Sequence, residues 1–314
     1  MSVCDNAGSA VTAVLRAAAI LVCAGLACAR PAPGQELEPR SYAATPVGTN
    51  IANGIYTFSK GSVSLDPSLP LSDVRASIDT VSLSFNHTFR VGGRAGAWAV
   101  IVPYLGGHVS AAVYGQEQAA TRYGFPDARV RLSFNFIGPA LAPSEFARRK
   151  PGTSAGISCS VIVPTGTYSP VHLINIGSNR WSVKPEIGIE QPMGKWFVDL
   201  SAGMWFFGTN ANYYGARTQT QDPLGIYQMH SGYNFHPGQW LALDADYYTG
   251  GATTVSGAGA INRLANSRYG VTFAQPAGGG LTAKLSWSHW LSGQYGQNFS
   301  TIGAALQYRW FDRF

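Results

Sequence analysis

From about residue 50 onward, apolar and polar residues alternate with a period of two. In Val81-Ser82-Leu83-Ser84-Phe85-Asn86-His87-Thr88-Phe89 the odd positions are mainly apolar and the even ones polar. Ala128, Val130, Leu132, Phe134 and Phe136 share one parity, and Arg129, Arg131, Ser133 and Asn135 the other. Trp181, Val183, Pro185, Ile187 and Ile189 oppose Arg180, Ser182, Lys184, Glu186 and Glu190. Leu241, Leu243, Ala245 and Tyr247 oppose Asp244, Asp246 and Tyr248, and Tyr269, Val271 and Phe273 oppose Arg268, Gly270 and Thr272. Successive side chains of a β-strand point to opposite faces, so each run predicts a strand with one apolar and one polar face. Fainter runs lie near 50–59, 97–109, 155–163, 196–207, 224–235 and 281–291; Trp205-Phe206-Phe207 leaves the register of the 196–207 run open. The last run, Thr301 to Trp310, sets Ile302, Ala304, Leu306, Tyr308 and Trp310 against Gly303, Ala305, Gln307 and Arg309. The sum is about twelve strands, each close to the roughly nine to eleven residues that cross a bilayer at a tilt.

The connections alternate in length. Val91–Gly96, Pro192–Lys195, His236–Gln239 and Pro276–Gly280 are short and rich in Gly and Pro, as tight turns require. Lys60–Asp73, Gly115–Pro126, Pro164–Gly177, Thr209–Asp222 and Gly250–Asn262 are long. Gly138–Gly152 is long but falls among the short ones; its Pro143–Lys150 stretch predicts a helical turn capped by Ser144. Three prolines challenge a closed sheet, because Pro donates nothing to the ladder. Pro103 and Pro164 fit near strand ends, and Pro185 predicts a bulge.

Composition turns these strands toward a membrane. Charged residues make up 12% of the 314, about half the usual share of a soluble protein, and aromatics reach 12%. No stretch reaches the eighteen or so apolar residues of a membrane-spanning helix. In lipid only helices and closed barrels satisfy every backbone group. The reading is an all-β chain: a transmembrane, antiparallel, up-and-down β-barrel of about twelve strands, with both termini periplasmic. The closing strand, with Gly303, Leu306, Tyr308, Trp310 and Phe314, resembles the insertion signal of bacterial outer-membrane barrels. The apolar stretch Ala17–Ala29 after Arg16 has the length of a secretory signal. Cleavage after Ala29 or after Gly34 fits; the second makes residues 1–34 a signal peptide and 35–314 a single barrel domain. Trp98, Tyr104, Trp181, Trp196, Tyr233, Tyr247, Tyr308 and Trp310 suit the aromatic girdles at the membrane surfaces.

Loss of Arg16, Arg30 and Asp5 with the leader moves the net charge from +6 to +5. The basic residues are scattered, apart from Arg148-Arg149-Lys150, which argues against a nucleic-acid partner. Cys159 alone survives the leader, so no disulfide and no cysteine metal cluster is expected. The six His are dispersed without metal-ligand spacing, and no cofactor motif is present. His108-Val109-Ser110 has the His-x-Ser order of outer-membrane phospholipases, without an acid or Asn to complete it. Asn210-Ala211-Asn212 reads as a plain turn. The informative set is the polar parity. Charge facing lipid is costly, so Asp127, Arg129, Arg131, Arg180, Lys184, Glu186, Glu190, Asp244, Asp246, Arg268 and Arg309 are expected to point inward and line the pore. Two readings of them stand side by side: a polar conduit that selects solutes, or opposite charges that pair across a narrow lumen and fill it.

Several segments together resemble one outer-membrane family, labelled "putative MetA-pathway of phenol degradation". They are Glu36–Tyr42, Asp66–Pro70, Gly124–Arg129, Pro164–Tyr168, Asn175–Ser182, Gln221–Leu224 and Asp244–Gly251. The resemblance covers nearly all of the mature chain. It implies a barrel in the bacterial outer membrane that passes aromatic or other small hydrophobic compounds. It implies no catalysis.

The expected function is that of a channel or diffusion-type transporter, not an enzyme, for small solutes that include aromatic or hydrophobic ones. The expected partners are outer-membrane lipid and lipopolysaccharide, the barrel-assembly machinery and the solute, with the chain a monomer. The rival readings are an outer-membrane lipid hydrolase and a plugged structural or adhesive barrel.

Overall fold

The computed structural model describes residues 39–64, 71–113, 116–172, 175–259, 262–291 and 295–312. The expected signal peptide over residues 1–34 and Phe314 lie outside them. The elements are β1 (Thr49–Ser64), β2 (Leu71–Val91), β3 (Arg94–Val113), β4 (Gln116–Gly124), β5 (Ala128–Ile137), α1 (Pro143–Phe146), β6 (Ser154–Val163), β7 (Ser182–Met193) and β8 (Trp196–Phe207). They continue as β9 (Asn210–Tyr213), β10 (Arg217–Gln221), β11 (Leu224–His236), β12 (Gln239–Gly250), β13 (Thr253–Val255), β14 (Ala258–Gly259), β15 (Leu264–Gly278), β16 (Leu281–Leu291) and β17 (Gly296–Phe311).

Twelve strands close a cylinder in the order β1-β2-β3-β5-β6-β7-β8-β11-β12-β15-β16-β17, with β17 back on β1. Every pairing is antiparallel, and the pairing of the last strand with the first closes the sheet, so no edge is left in lipid. β9, β10, β13 and β14 form a separate small sheet from two loops at the extracellular end. That end is assigned from turn length, because outer-membrane barrels keep short turns on the periplasmic side. The Gly92-Gly93 turn between β2 and β3 shows why such turns need glycine: both residues have positive φ, 54° and 73°.

Alternation decides which residues face in. On β7, Ser182, Lys184, Glu186 and Glu190 are buried, while Val183, Ile187 and Ile189 are exposed. On β8, Phe197, Asp199 and Trp205 are buried and Leu200, Met204 and Phe206 exposed, which settles the register that its aromatic end left open. The outer face carries a belt of exposed rings. Trp98, Tyr308, Trp310 and Trp196 lie toward the periplasmic rim, and Tyr104, Trp181 and Tyr247 toward the other. Cys159 is free and faces outward.

The structure corrects four local expectations. The 115–126 connection holds β4, which pairs with the upper part of β3. Pro103 falls where β3 changes partner: its β5 pairing ends at Ile101 and its β4 pairing begins at Leu105, so the missing N–H is not needed there. Pro185 makes no bulge. The β7–β8 ladder skips Lys184 and Pro185 and resumes at Glu186–Gly203 in unchanged register. The cap of α1 is not Ser144; the Ala142 N–H donates to Glu145 Oε2 at 3.1 Å.

The wall is uneven in height. β2 and β3 run 21 and 20 residues, against 10 for β5 and β6. At about 3.3 Å per residue the tall wall exceeds the short one by roughly 35 Å of strand, before tilt.

Candidate functional site: the barrel interior

The lumen has two layers. The periplasmic layer is charged. Cross-strand register places Glu190, Asp199, His230 and Asp244 side by side on β7, β8, β11 and β12. One step up on the same faces, Gln228, Asp246 and Arg268 form a second row. Above it on β5 and β7 are Arg131, Lys184 and Glu186.

Most of these charges pair with one another, while Asp199 accepts backbone N–H groups of Arg40 and Tyr42. Arg268 donates to Asp246 through Nε at 2.7 Å and Nη2 at 2.5 Å, with both side chains almost wholly buried. Lys184 Nζ lies 2.5 Å from Glu186 Oε2, and Arg131 Nη2 lies 3.2 Å from Glu186 Oε1. His230 Nδ1 is 2.7 Å from Asp244 Oδ1, and Thr272 donates to Asp244 Oδ2 at 2.8 Å. Burying ions costs several kcal/mol each, so a lattice of short, mutual contacts is the arrangement a dry interior tolerates.

Residues 39–48 complete this layer from inside. The Arg40 guanidinium bonds Glu190 Oε1 and Asn234 Oδ1, each at 3.1 Å, and stacks 4.7 Å over the Phe197 ring. Tyr42 is 2% exposed; its hydroxyl donates to Glu186 at 2.9 Å and lies 3.1 Å from Ser158 Oγ. Burial, reinforced by the Glu186 carboxylate, raises the Tyr42 pKa far above its usual value, so the hydroxyl stays protonated and keeps donating. The ring lies on Gly188, where an added Cβ would meet it at 2.2 Å. Lower down, the Val47 N–H donates to Leu141 O, the Gly48 N–H to Thr88 O and the Thr88 hydroxyl to Pro46 O. The segment therefore lies across the periplasmic half of the lumen, fixed at both ends.

The extracellular layer is apolar. Val63, Val74, Ala76, Ala111, Ile162, Trp205, Leu224, Ile226, Tyr248, Trp290 and Phe299 form one buried cluster, joined by Phe207 and Leu264. Tyr248 and Trp290 lie 4.7 Å apart, ring to ring, and Arg268 stands 5.0 Å from the Trp290 ring. Lys184 faces Trp205 at 5.7 Å. These two cations mark the boundary between layers.

The sequence-picked residues fall in three places. Arg129, Arg131, Lys184, Glu186, Glu190, Asp244, Asp246 and Arg268 are on inward strand positions. Arg309 has inward parity but stands exposed at the periplasmic rim, 5.7 Å from the Phe311 ring. Asp127 and Arg180 precede their strands and belong to a clasp at the extracellular rim. Asp127 accepts the Gly166 N–H at 2.8 Å, the Ser178 N–H at 2.7 Å and the Ser178 hydroxyl at 2.5 Å. Arg180 stacks on Phe207 at 4.8 Å and donates to Gln221, whose amide donates to Gly251 O. Gly303 faces in, whereas Leu306, Tyr308 and Trp310 face lipid. His108 and Ser110 share the outward face of β3, and His108 Nδ1 contacts Thr121 Oγ1 at 2.9 Å, not Ser110. Among the described residues, no cluster of His, Cys, Asp and Glu fits a metal ion.

The profile of the family described as "Putative MetA-pathway of phenol degradation" matches residues 49–309. The chain belongs to that family. Its barrel is superposable on an outer membrane channel from Pseudomonas putida F1, with a TM-score of 0.74 at 19% identity over 88% of this chain and 100% of that one. The β-domain of the Bordetella autotransporter BrkA gives 0.52 at 11% identity over 84% and 100%, and the transport unit of the Escherichia coli autotransporter AIDA-I gives 0.50 at 8% over 92% and 96%. These likenesses are of fold. Sequence comparison with curated proteins gives no match. A closed barrel with an apolar, ring-girdled outer face places this family member in the bacterial outer membrane.

The family segments explain themselves in space. Asp127, Thr165–Tyr168, Asn175–Arg180, Gln221 and Gly251 meet in the extracellular clasp, and Tyr42 anchors the segment inside the lumen. Asn210 is the hub that sequence reasoning missed. It lies in β9, not a turn, is fully buried, and bonds Tyr168, Ser178, Asn179 and the Asn212 N–H. Asp199 and His230 were also missed, the first because its strand lacked a clear register and the second because its Asp244 partner is fourteen residues away.

Proposed function

We propose that this barrel passes small apolar solutes of the aromatic class across the outer membrane, with the apolar upper lumen as their receiving chamber. The observation that carries this reading is the placement of the aromatic cluster around Trp205, Tyr248 and Trp290 at the extracellular half, above charges already paired with one another. Such a lumen offers water-soluble ions little unpaired charge, and offers an apolar ring a site of matching chemistry. The family description, phenol degradation, and the channel from Pseudomonas putida F1 agree with this class of role. Passage is passive, and the chain acts alone and without catalysis. A second reading, a barrel plugged for structural ends, is favoured by residues 39–48 in the lumen. Accumulation of radiolabelled phenol and of arabinose by Gram-negative cells with intact lipopolysaccharide separates the two. The apolar-conduit reading predicts faster phenol entry on expression of the chain and unchanged arabinose entry. Unchanged phenol entry contradicts it.

A further inference from the structure

The tall wall continues past the apolar band, and the chemistry of its outward face changes abruptly. Read across β17, β1, β2, β3 and β4, one outward row is Ile302, Phe58, Asp79, Gly106 and Tyr123. Asp79 is tied down there, accepting the Tyr56 hydroxyl at 2.6 Å. The next row up is Ser300, Lys60, Ser77, His108 and Thr121, and the next Asn298, Ser62, Arg75, Ser110 and Ala119. Large apolar residues stop, and hydroxyls and cations begin. The short strands β6, β7, β8, β11 and β12 end near Val163, Ser182, Phe207, Leu224 and Gly250. The tall wall therefore presents an outward face at a height that they do not reach.

Within these rows Lys60 and His108 stand directly opposite Ser77 from the two neighbouring strands, and Arg75 follows Ser77 by one step on the same face of β2. Directly opposed side chains have Cβ atoms about 5 Å apart, and steps along one face measure about 7 Å. Three nitrogen-bearing side chains thus ring one hydroxyl. All three are exposed. Neither Lys60 nor Arg75 forms an ion pair among the described residues. His108 uses Nδ1 toward Thr121, leaving Nε2 for a ligand. The acids nearest on this wall are Asp79, one row below and bonded to Tyr56, and Glu117 and Asp73 farther out.

We propose that Lys60, Arg75 and His108, set around Ser77, bind a phosphate group of lipopolysaccharide in the outer leaflet. The height decides the source of the phosphate. The site lies directly above a face whose apolar side chains meet acyl chains, so a phosphate carried on a lipid engages both at once. Flanking hydroxyls at Ser62, Ser110, Thr121 and Ser300 suit the sugar that carries it.

The test uses the full mature chain in detergent with diphosphoryl lipid A added to the same micelles, read by native mass spectrometry. K60Q/R75Q is expected to weaken lipid A binding by roughly thirtyfold, the loss of two cationic contacts at a membrane surface. Lipid A stripped of its phosphates is expected to lose binding to the wild type similarly, and R90Q/R148Q, which lies toward the periplasmic rim, to leave it unchanged. A shift in gel mobility on heating equal to that of the wild type confirms that each variant is folded. The proposal is overturned if folded K60Q/R75Q binds within about twofold of wild type, or if phosphate-free lipid A binds as tightly. Equal competition by millimolar inorganic phosphate would overturn the lipid as its source.

Discussion

The two halves of the lumen are walled by the same strands and reach opposite solutions. Toward the periplasm, β7, β8, β11 and β12 turn Glu190, Asp199, His230 and Asp244 inward, and the space is closed by mutual pairing and by Arg40 and Tyr42. Toward the outside the same strands turn Trp205, Leu224, Ile226 and Tyr248 inward, and the space is closed by rings and aliphatic chains. In the lower half each charge needs a particular partner, because one left alone in a dry interior is costly. In the upper half any apolar group of suitable size satisfies the wall. The lower half is therefore specific and rigid, and the upper half tolerant, which suits it to receive a solute.

Breaking the lower half at its most buried pair should cost most. Asp246→Leu leaves Arg268 without its carboxylate, and about 3–5 kcal/mol of stability should go, measured by urea unfolding of the refolded barrel in detergent. Trp205→Ala in the upper half removes a ring that is 1% exposed and should cost about 3 kcal/mol in the same assay. It should also alter phenol entry, which Asp246→Leu in a barrel that still folds should leave nearer wild type. Asp127→Ala removes three hydrogen bonds outside both layers and should cost about 2–3 kcal/mol with greater protease sensitivity of the 164–181 loop. Tyr56→Phe, on the lipid side, should cost under about 1 kcal/mol.

The wall was far more legible in the sequence than the lumen. Alternation at Ala128–Phe136 or Leu241–Tyr248 reports a face directly, because a strand beside lipid has one apolar and one polar side. It failed where both faces are apolar, as at Trp205-Phe206-Phe207. Parity also identified inward charges such as Lys184 and Asp246. It could not say which charge meets which, since partners such as Arg131 and Glu186 come together only through barrel closure. Nor could it place Asp127, whose carboxylate turns to loop backbone, or bring Tyr42 into the lumen, because neither side chain belongs to a strand.

The most direct test of the divided lumen is planar-bilayer conductance of residues 35–314 beside Gly188→Ala and R40A/Y42A. Gly188→Ala puts a methyl where the Tyr42 ring lies, and the double variant removes both anchors. The account predicts small steps for the wild type and severalfold larger ones for both variants. Wild-type steps as large as those of the variants would contradict it.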